Sequence, residues 1–244
     1  MARSTHPYGS HPSQLGELFL PSGIGPHPVC VVVHGGYWRA QYDRSLMEGL
    51  CTDLSAHGVA AWNLEYRRVG AGGGWPETFL DVAAGIDLLA GLDAPLDLSR
   101  VAAVGHSAGG QLALWAAARR DAAVRLAGVV SQAGVHDLRE ADRLGLGENA
   151  TAPFMGGHPD EVPDAYADAS PIERVPVGVP QLLVHGDADD VVPASQSTAY
   201  AEAAQEAGDE VDLVLRPGED HFVHLDPAGG AWADVVRWLA RFGA

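Results

Sequence analysis

Residue 107 is a serine inside "VGHSAGG", with Gly105 and Gly109 two positions to either side. An apolar run enters this stretch and a strongly helical run, "QLALWAAARR", leaves it. A strand that turns into a helix through G-x-S-x-G holds the serine in a strained, exposed backbone position. The glycines let strand and helix cross closely, and the helix N-terminus aims N–H groups at whatever sits on the serine oxygen. Ser107 is therefore the candidate nucleophile.

A serine hydroxyl is a weak nucleophile and needs a base, and the base needs an orienting acid. In a strand–helix alternation these partners are expected later in the chain, in the order acid then histidine, each beyond the carboxyl end of a strand. "LLVHGDADDVVP" offers Asp187, Asp189 and Asp190, and "LVLRPGEDHFVH" offers His221 and His224. Upstream, "HGGYW" follows an apolar strand-like run. A Gly-rich turn there can bring backbone N–H donors close to a developing oxyanion. Gly36 and Tyr37 are the candidate donors, together with Ala108, which follows the serine. No H-x-x-x-H or Cys/His cluster is present, so no metal and no cofactor is expected.

These residues need a scaffold that delivers strand ends to one face. "HPVCVVVHGG" is a continuous β-branched run of the kind buried on both faces of a sheet. "DRSLMEGLCTDLSAHG" places Leu46, Leu50 and Leu54 at helical spacing and stops at a glycine. Strand-like runs over 59–67, 101–107, 126–134, 180–189 and 210–218 alternate with helical patterns over 76–92, 108–120, 194–208 and 228–242. That alternation predicts an α/β fold, a mostly parallel sheet with helices on both faces. Residues 135–170 break the pattern with acidic, Gly- and Pro-rich sequence, expected to form a small lid or an extended loop inserted in one domain spanning 1–244. The N-terminal histidines His6, His11 and His27 read as loop residues, and the side chain of His106 is expected to point away along the elbow.

Composition narrows the partners. The chain has 244 residues, 47% of them apolar, with 32 acidic residues against 15 basic ones, all Arg, for a net charge of −17. Such a surface repels phosphate backbones and anionic lipid, which argues against nucleic-acid and membrane partners. A small ester or amide is the expected partner; a homodimer is left open. Cys30 and Cys51 read as buried thiols in a reducing compartment, and no apolar leader is visible at the N-terminus, so a cytoplasmic location is expected.

Taken together, "HGGYW", "GHSAGG", "HGDADDVVP" and "DHF" resemble α/β-hydrolase esterases of the hormone-sensitive-lipase and kynurenine-formamidase-like type, over roughly 15 to 242. "NLEYRR" followed by "WPETFLDV" is similar to that family's D-Y-R…P-E segment. The H-G-x-x-D-x-x-V-P pattern is shared with prolyl-oligopeptidase-type hydrolases. The resemblance implies Asp189 as the acid and His221 as the base, leaving Asp187, Asp190 and His224 as neighbours. It implies a serine hydrolase acting on short-chain or aryl esters or formamides, with a small peptidase, an acyltransferase and a non-catalytic binding module as alternatives. Tyr37 and Trp38 are candidates for the pocket wall, the other reading being packing of the oxyanion loop. Phe154 and Met155 either close over an apolar group or pin the lid. Glu65 and Arg67 are expected to form a buried pair behind the oxyanion loop, since a lone buried charge is costly.

Overall fold

A computed structural model describes residues 1–243. Eight strands form one sheet: β1 Ala2–Pro7, β2 Leu15–Leu20, β3 His27–Val33, β4 Ala60–Leu64, β5 Leu96–His106, β6 Gly128–Gln132, β7 Gln181–Gly186 and β8 Val211–Arg216. Their spatial order is β1-β2-β4-β3-β5-β6-β7-β8. The six strands from β4 to β8 pair in parallel, and β1 and β2 add an antiparallel edge. The architecture is the α/β-hydrolase fold.

The unbroken apolar run of β3 follows from its place in the middle. Val29, Val31 and Val33 face a core shared with Phe79, Val82 and Leu112, while Cys30 and Val32 face a second core with Leu50, Leu54 and Trp232. Both faces of the sheet are therefore covered. The long helices are α1 Glu48–Ala56, α2 Glu77–Asp87 and α3 Ala108–Ala117, with α8 Ser195–Glu206 and α9 Gly230–Leu239 in the second half. Between them, residues 135–170 are not irregular: they carry α4 Leu138–Arg143, α5 Leu146–Asn149, α6 Thr151–Met155 and α7 Pro163–Ala169. Leu138, Phe154, Met155 and Tyr166 of this segment are buried in the first core.

Two local expectations are corrected. The N-terminal stretch is a hairpin rather than loop, with Pro7 opposite Leu15, and it places His6 in β1 and a buried His27 in β3. The helix expected from 43 begins as a 3₁₀ turn over Arg44–Met47, capped by Asp43 accepting from the Ser45 N–H at 2.9 Å. Three residues per turn there shift the phase, so Leu46 leaves the buried stripe that Leu50 and Leu54 keep. Among the described residues no helix is long and apolar enough to cross a membrane.

From β3 the chain steps to β4 on one side, and β5 lies on the other. At such a reversal the loops leaving two neighbouring parallel strands diverge and open a crevice at their carboxyl ends. The loops involved are "HGGYW" and the Ser107 turn.

Candidate active site

Ser107 follows the last residue of β5 and precedes the first of α3, with φ 56° and ψ −123°. The conformer is unfavourable for a residue with a side chain, and the crossing of strand and helix imposes it. A Cβ on Gly109 would fall 2.1 Å from the Val33 carbonyl oxygen, and one on Gly105 would fall 2.0 Å from the Gly109 carbonyl oxygen. No larger residue fits at either position without moving backbone. The Ser107 N–H donates to the Gln132 carbonyl at 2.8 Å, tying the turn to β6.

Two loops beyond β7 and β8 converge on this turn. The Asp189 carboxylate, wholly buried, accepts from the Val191 and Val192 N–H groups on Oδ1 at 2.9 and 2.8 Å. Its Oδ2 accepts from His221 Nδ1 at 2.7 Å, and His185 Nε2 lies 3.2 Å from the same oxygen. Burial works to raise the Asp189 pKa, but the hydrogen bonds from His185 and His221 outweigh it and hold the carboxyl well below the usual range. Asp187 instead ties the two loops together by accepting from the Gly218 N–H at 2.6 Å, Asp190 is exposed, and His224 lies buried beside the His106 ring. Of the candidate acids and histidines, the fold joins Asp189 to His221, and His221 lines the cleft that holds Ser107.

His106 differs from its expected outward course. Its ring sits 4.7 Å from the His221 ring, its Nε2 donates to the His221 carbonyl at 2.9 Å, and it lines the cleft. Burial pushes its pKa well below the ordinary histidine value, so it serves as an uncharged donor under the His221 loop.

The turn after β3 runs through three consecutive left-handed residues, Gly36, Tyr37 and Trp38, at φ 106°, 49° and 56°. Such a backbone persists only where its surroundings over-determine it. Tyr66 Oη donates to the His34 carbonyl at 2.7 Å and its ring stacks on His34 at 4.3 Å. Trp38 Nε1 donates to Gln111 Oε1 on α3 at 3.1 Å, and Tyr37 Oη donates to the Val191 carbonyl at 2.8 Å. Tyr37 therefore links the turn to the Asp189 loop; burial, with the Asp189 charge second, pushes its phenol up to about 12, so it stays a donor. The backbone N–H groups of Gly36, Tyr37 and Ala108 have no protein acceptor among the described residues. Gly35 permits the approach, since a Cβ there would fall 2.9 Å from the Ser107 Cβ.

Behind this turn Glu65 is paired as its burial demands, though not with Arg67. His34 Nε2 donates to it at 3.1 Å, Arg68 reaches it at 2.9 Å, and the Arg44 N–H donates at 3.0 Å. Arg67 pairs with Asp81 of α2 at 2.7 Å. The residue types were right for a buried ion pair, but the chain turns between Arg67 and Arg68 and exchanges their partners.

The cleft holds about 180 Å³. Besides Ser107, His221 and the Gly36–Tyr37 turn it is lined by Tyr42, Leu46, Val191, Phe222 and Leu225. Tyr42, Leu46 and Phe222 are 39%, 38% and 61% exposed, so its mouth is apolar. Trp38, Phe154 and Met155 do not line it: Trp38 stacks on Phe154 at 4.2 Å and all three are buried in the core. They were apolar enough for a pocket wall, but the inward turn of Trp38 toward α3 takes them to the other side. Phe222 was the wall residue most open to sequence reading, because it adjoins His221. No group of three or more His, Cys, Asp or Glu placed to hold a metal occurs among the described residues.

A hydroxyl at a helix N-terminus, an imidazole on a buried carboxylate and backbone N–H groups without a protein acceptor are parts that acyl transfer can use. Known proteins of similar sequence include an esterase and a peptidase. Esterase LipC of Mycobacterium tuberculosis is 27% identical over 247 residues, covering 91% of this chain and 60% of LipC. Dipeptidyl-peptidase 5 of Porphyromonas gingivalis is 28% identical over 240 residues, covering 88% of this chain and 34% of that protein. The chain thus spans 60% or less of the length of these curated relatives. Among solved structures, a truncated carbohydrate esterase from gut microbiota superposes with a TM-score of 0.87 at 22% identity, covering 99% of this chain and 96% of that one. Esterase B from Lactobacillus rhamnosis gives 0.85 at 19% identity, covering 99% and 85%. These two show the shared fold. The profile of the prolyl oligopeptidase family matches residues 56–242, and the chain belongs to that family.

Proposed function

We propose that the protein is a serine hydrolase of carboxylic esters carrying a short acyl or aryl group. The observation that carries this reading is the 2.7 Å bond from His221 Nδ1 to the buried Asp189, in the same cleft as a serine held at φ 56°. Ser107 Oγ attacks the ester carbonyl carbon and passes its proton to His221 Nε2. The N–H groups of Gly36, Tyr37 and Ala108 hold the resulting oxyanion, the alcohol leaves with the proton from His221, and water releases the acid by the reverse sequence.

The cleft supports a small apolar substrate. Each buried CH₂ adds about 0.8 kcal/mol only while wall remains to cover it, and the wall here encloses about 180 Å³. Turnover of p-nitrophenyl esters is expected to peak at about two to six acyl carbons on that area argument. A steady rise of kcat/KM out to long chains would overturn it.

Membership of the prolyl oligopeptidase family favours a second reading, hydrolysis of small amides. A free peptide amino terminus needs a carboxylate partner; among the described residues no carboxylate lines the cleft, and Asp189, behind His221, is already engaged by four donors. Esters are therefore preferred. Aminoacyl arylamides and N-formylkynurenine assayed beside the esters separate the readings, and a higher kcat/KM on either amide would replace the ester assignment.

A further inference from the structure

One buried group at the site has no part in the reaction as drawn. His185 is the penultimate residue of β7, before Gly186, and is wholly buried. Its Nε2 lies 2.9 Å from the Val192 carbonyl oxygen and 3.2 Å from Asp189 Oδ2. Both neighbours are acceptors, so Nε2 carries a proton. Its Nδ1 is 2.7 Å from the hydroxyl of Ser197 on α8, which fixes the ring. The carboxylate oxygen it faces is the one that accepts from His221.

We propose that His185 is a positioning residue of the triad: it shares Asp189 Oδ2 with His221 and thereby sets how strongly the carboxylate holds a proton on the His221 ring. The proposal rests on the Ser107–His221–Asp189 reading above. An oxygen divided between two N–H donors gives less to each, so removing one donor strengthens the other bond and favours the charged imidazolium. His185 then keeps His221 free to accept the serine proton at lower pH. Ser197 acts through the same ring by holding its orientation.

Other ionisable groups face this pair. His106 and His224 lie against His221, Glu219 faces His224, His136 faces His185, and Tyr37 faces Asp189. Burial pushes His106 well down, His136 to about 3 and His224 to about 4, so these three stay uncharged where a histidine base titrates. A change in pH dependence is then read at the His221–Asp189–His185 unit.

The test is the pH dependence of the rate at which a fluorophosphonate labels Ser107, measured on the full chain and on His185→Leu, His185→Gln and Ser197→Ala. Labelling needs no knowledge of the substrate. The midpoint of the acid limb is expected to move up by about half a pH unit or more in His185→Leu, less in Ser197→Ala, and to return toward the wild type in His185→Gln, whose amide supplies a donor. Slower labelling with an unmoved midpoint, or Gln no better than Leu, would mean a purely structural role and overturn the proposal. If His185→Leu does not fold, Ser197→Ala decides: an upward shift supports the proposal and an unmoved midpoint overturns it. Absence of Ser107 labelling in the wild type would instead bring down the triad reading on which it rests.

Discussion

A serine at φ 56° costs on the order of 1–3 kcal/mol, and Ser107 stays there because β5 and α3 leave the turn no other path. That strain concerns the backbone, so removing the hydroxyl does not relieve it. Ser107→Ala is expected to keep the wild-type melting temperature while lowering ester turnover by about 10⁴-fold or more. More than a tenth of wild-type turnover in the purified variant would refute a serine nucleophile. Phe154 makes the opposite case. Its ring lies between Trp38 at 4.2 Å and Phe79 at 5.5 Å, all of them buried. Phe154→Ala is expected to cost about 3–5 kcal/mol of stability, with chain-length preference unchanged. A chemical denaturation curve beside the ester series checks both, and an altered preference at full stability would restore Phe154 to the pocket.

At the scale of elements, the site depends on how closely the loop after β3 approaches the turn after β5. The contact is made by glycines: a Cβ on Gly109 would meet the Val33 and His34 carbonyl oxygens at 2.1 and 2.5 Å. Backbone cannot yield as a flexible side chain can, so Gly109→Ala must push the two loops apart. A lower melting temperature and at least about tenfold slower labelling of Ser107 are expected, since misplaced oxyanion donors typically cost 10²–10³ in rate. Gly91→Ala is the control, with nothing within 4 Å of its added carbon. Equal behaviour of the two variants would show that the elbow tolerates a side chain. The same scale explains why segment 135–170 does not act as the expected wall: its large side chains complete the core under the sheet, and the cleft is walled instead by the 3₁₀ turn after β3 and the loop after β8.

For the whole molecule, buried histidines set a pH dependence of stability. Burial holds His136 down to about 3 and His224 to about 4, and lowers His106 as well. Unfolding exposes these rings to water, where they bind protons below about 6.5. Between that value and the folded-state values the unfolded chain therefore takes up more protons, so stability rises with pH. Each ring is expected to remove about 1 kcal/mol per pH unit as pH falls below about 6.5. Asp189, lowered by folding, acts only at more acidic pH, adding stability above the unfolded carboxyl range that is lost on further acidification. Thermal melts at pH 7.5, 6.0 and 5.0 should show a progressive fall in Tm. A level or rising Tm across that series would mean that the buried rings are protonated in the folded protein.

The parts of this protein legible in its sequence are those governed by local pattern. The double-faced run of β3, the strand–helix alternation and the G-x-S-x-G turn each follow from neighbours within about ten residues. That the loops carrying the serine, aspartate and histidine share one edge was readable because parallel strands deliver their following loops there; the choice of Asp189 and His221 came with the family resemblance. Long-range packing decided the rest. Only the folded chain turns Trp38 inward onto Phe154 and α3, exchanges Arg67 for Arg68 on Glu65, and draws His106 beneath His221. Edge strand β1 was hidden because it is open to solvent and carries polar residues, and β2, though buried along Gly16–Phe19, has its apolar run broken by Gly16 and Glu17. The second histidine on Asp189 was hidden for a related reason. His185 precedes Asp189 by four residues in a strand end, and only the bend after Gly186, packed against the loop after β8, brings the Asp189 carboxylate back onto His185 while it holds His221.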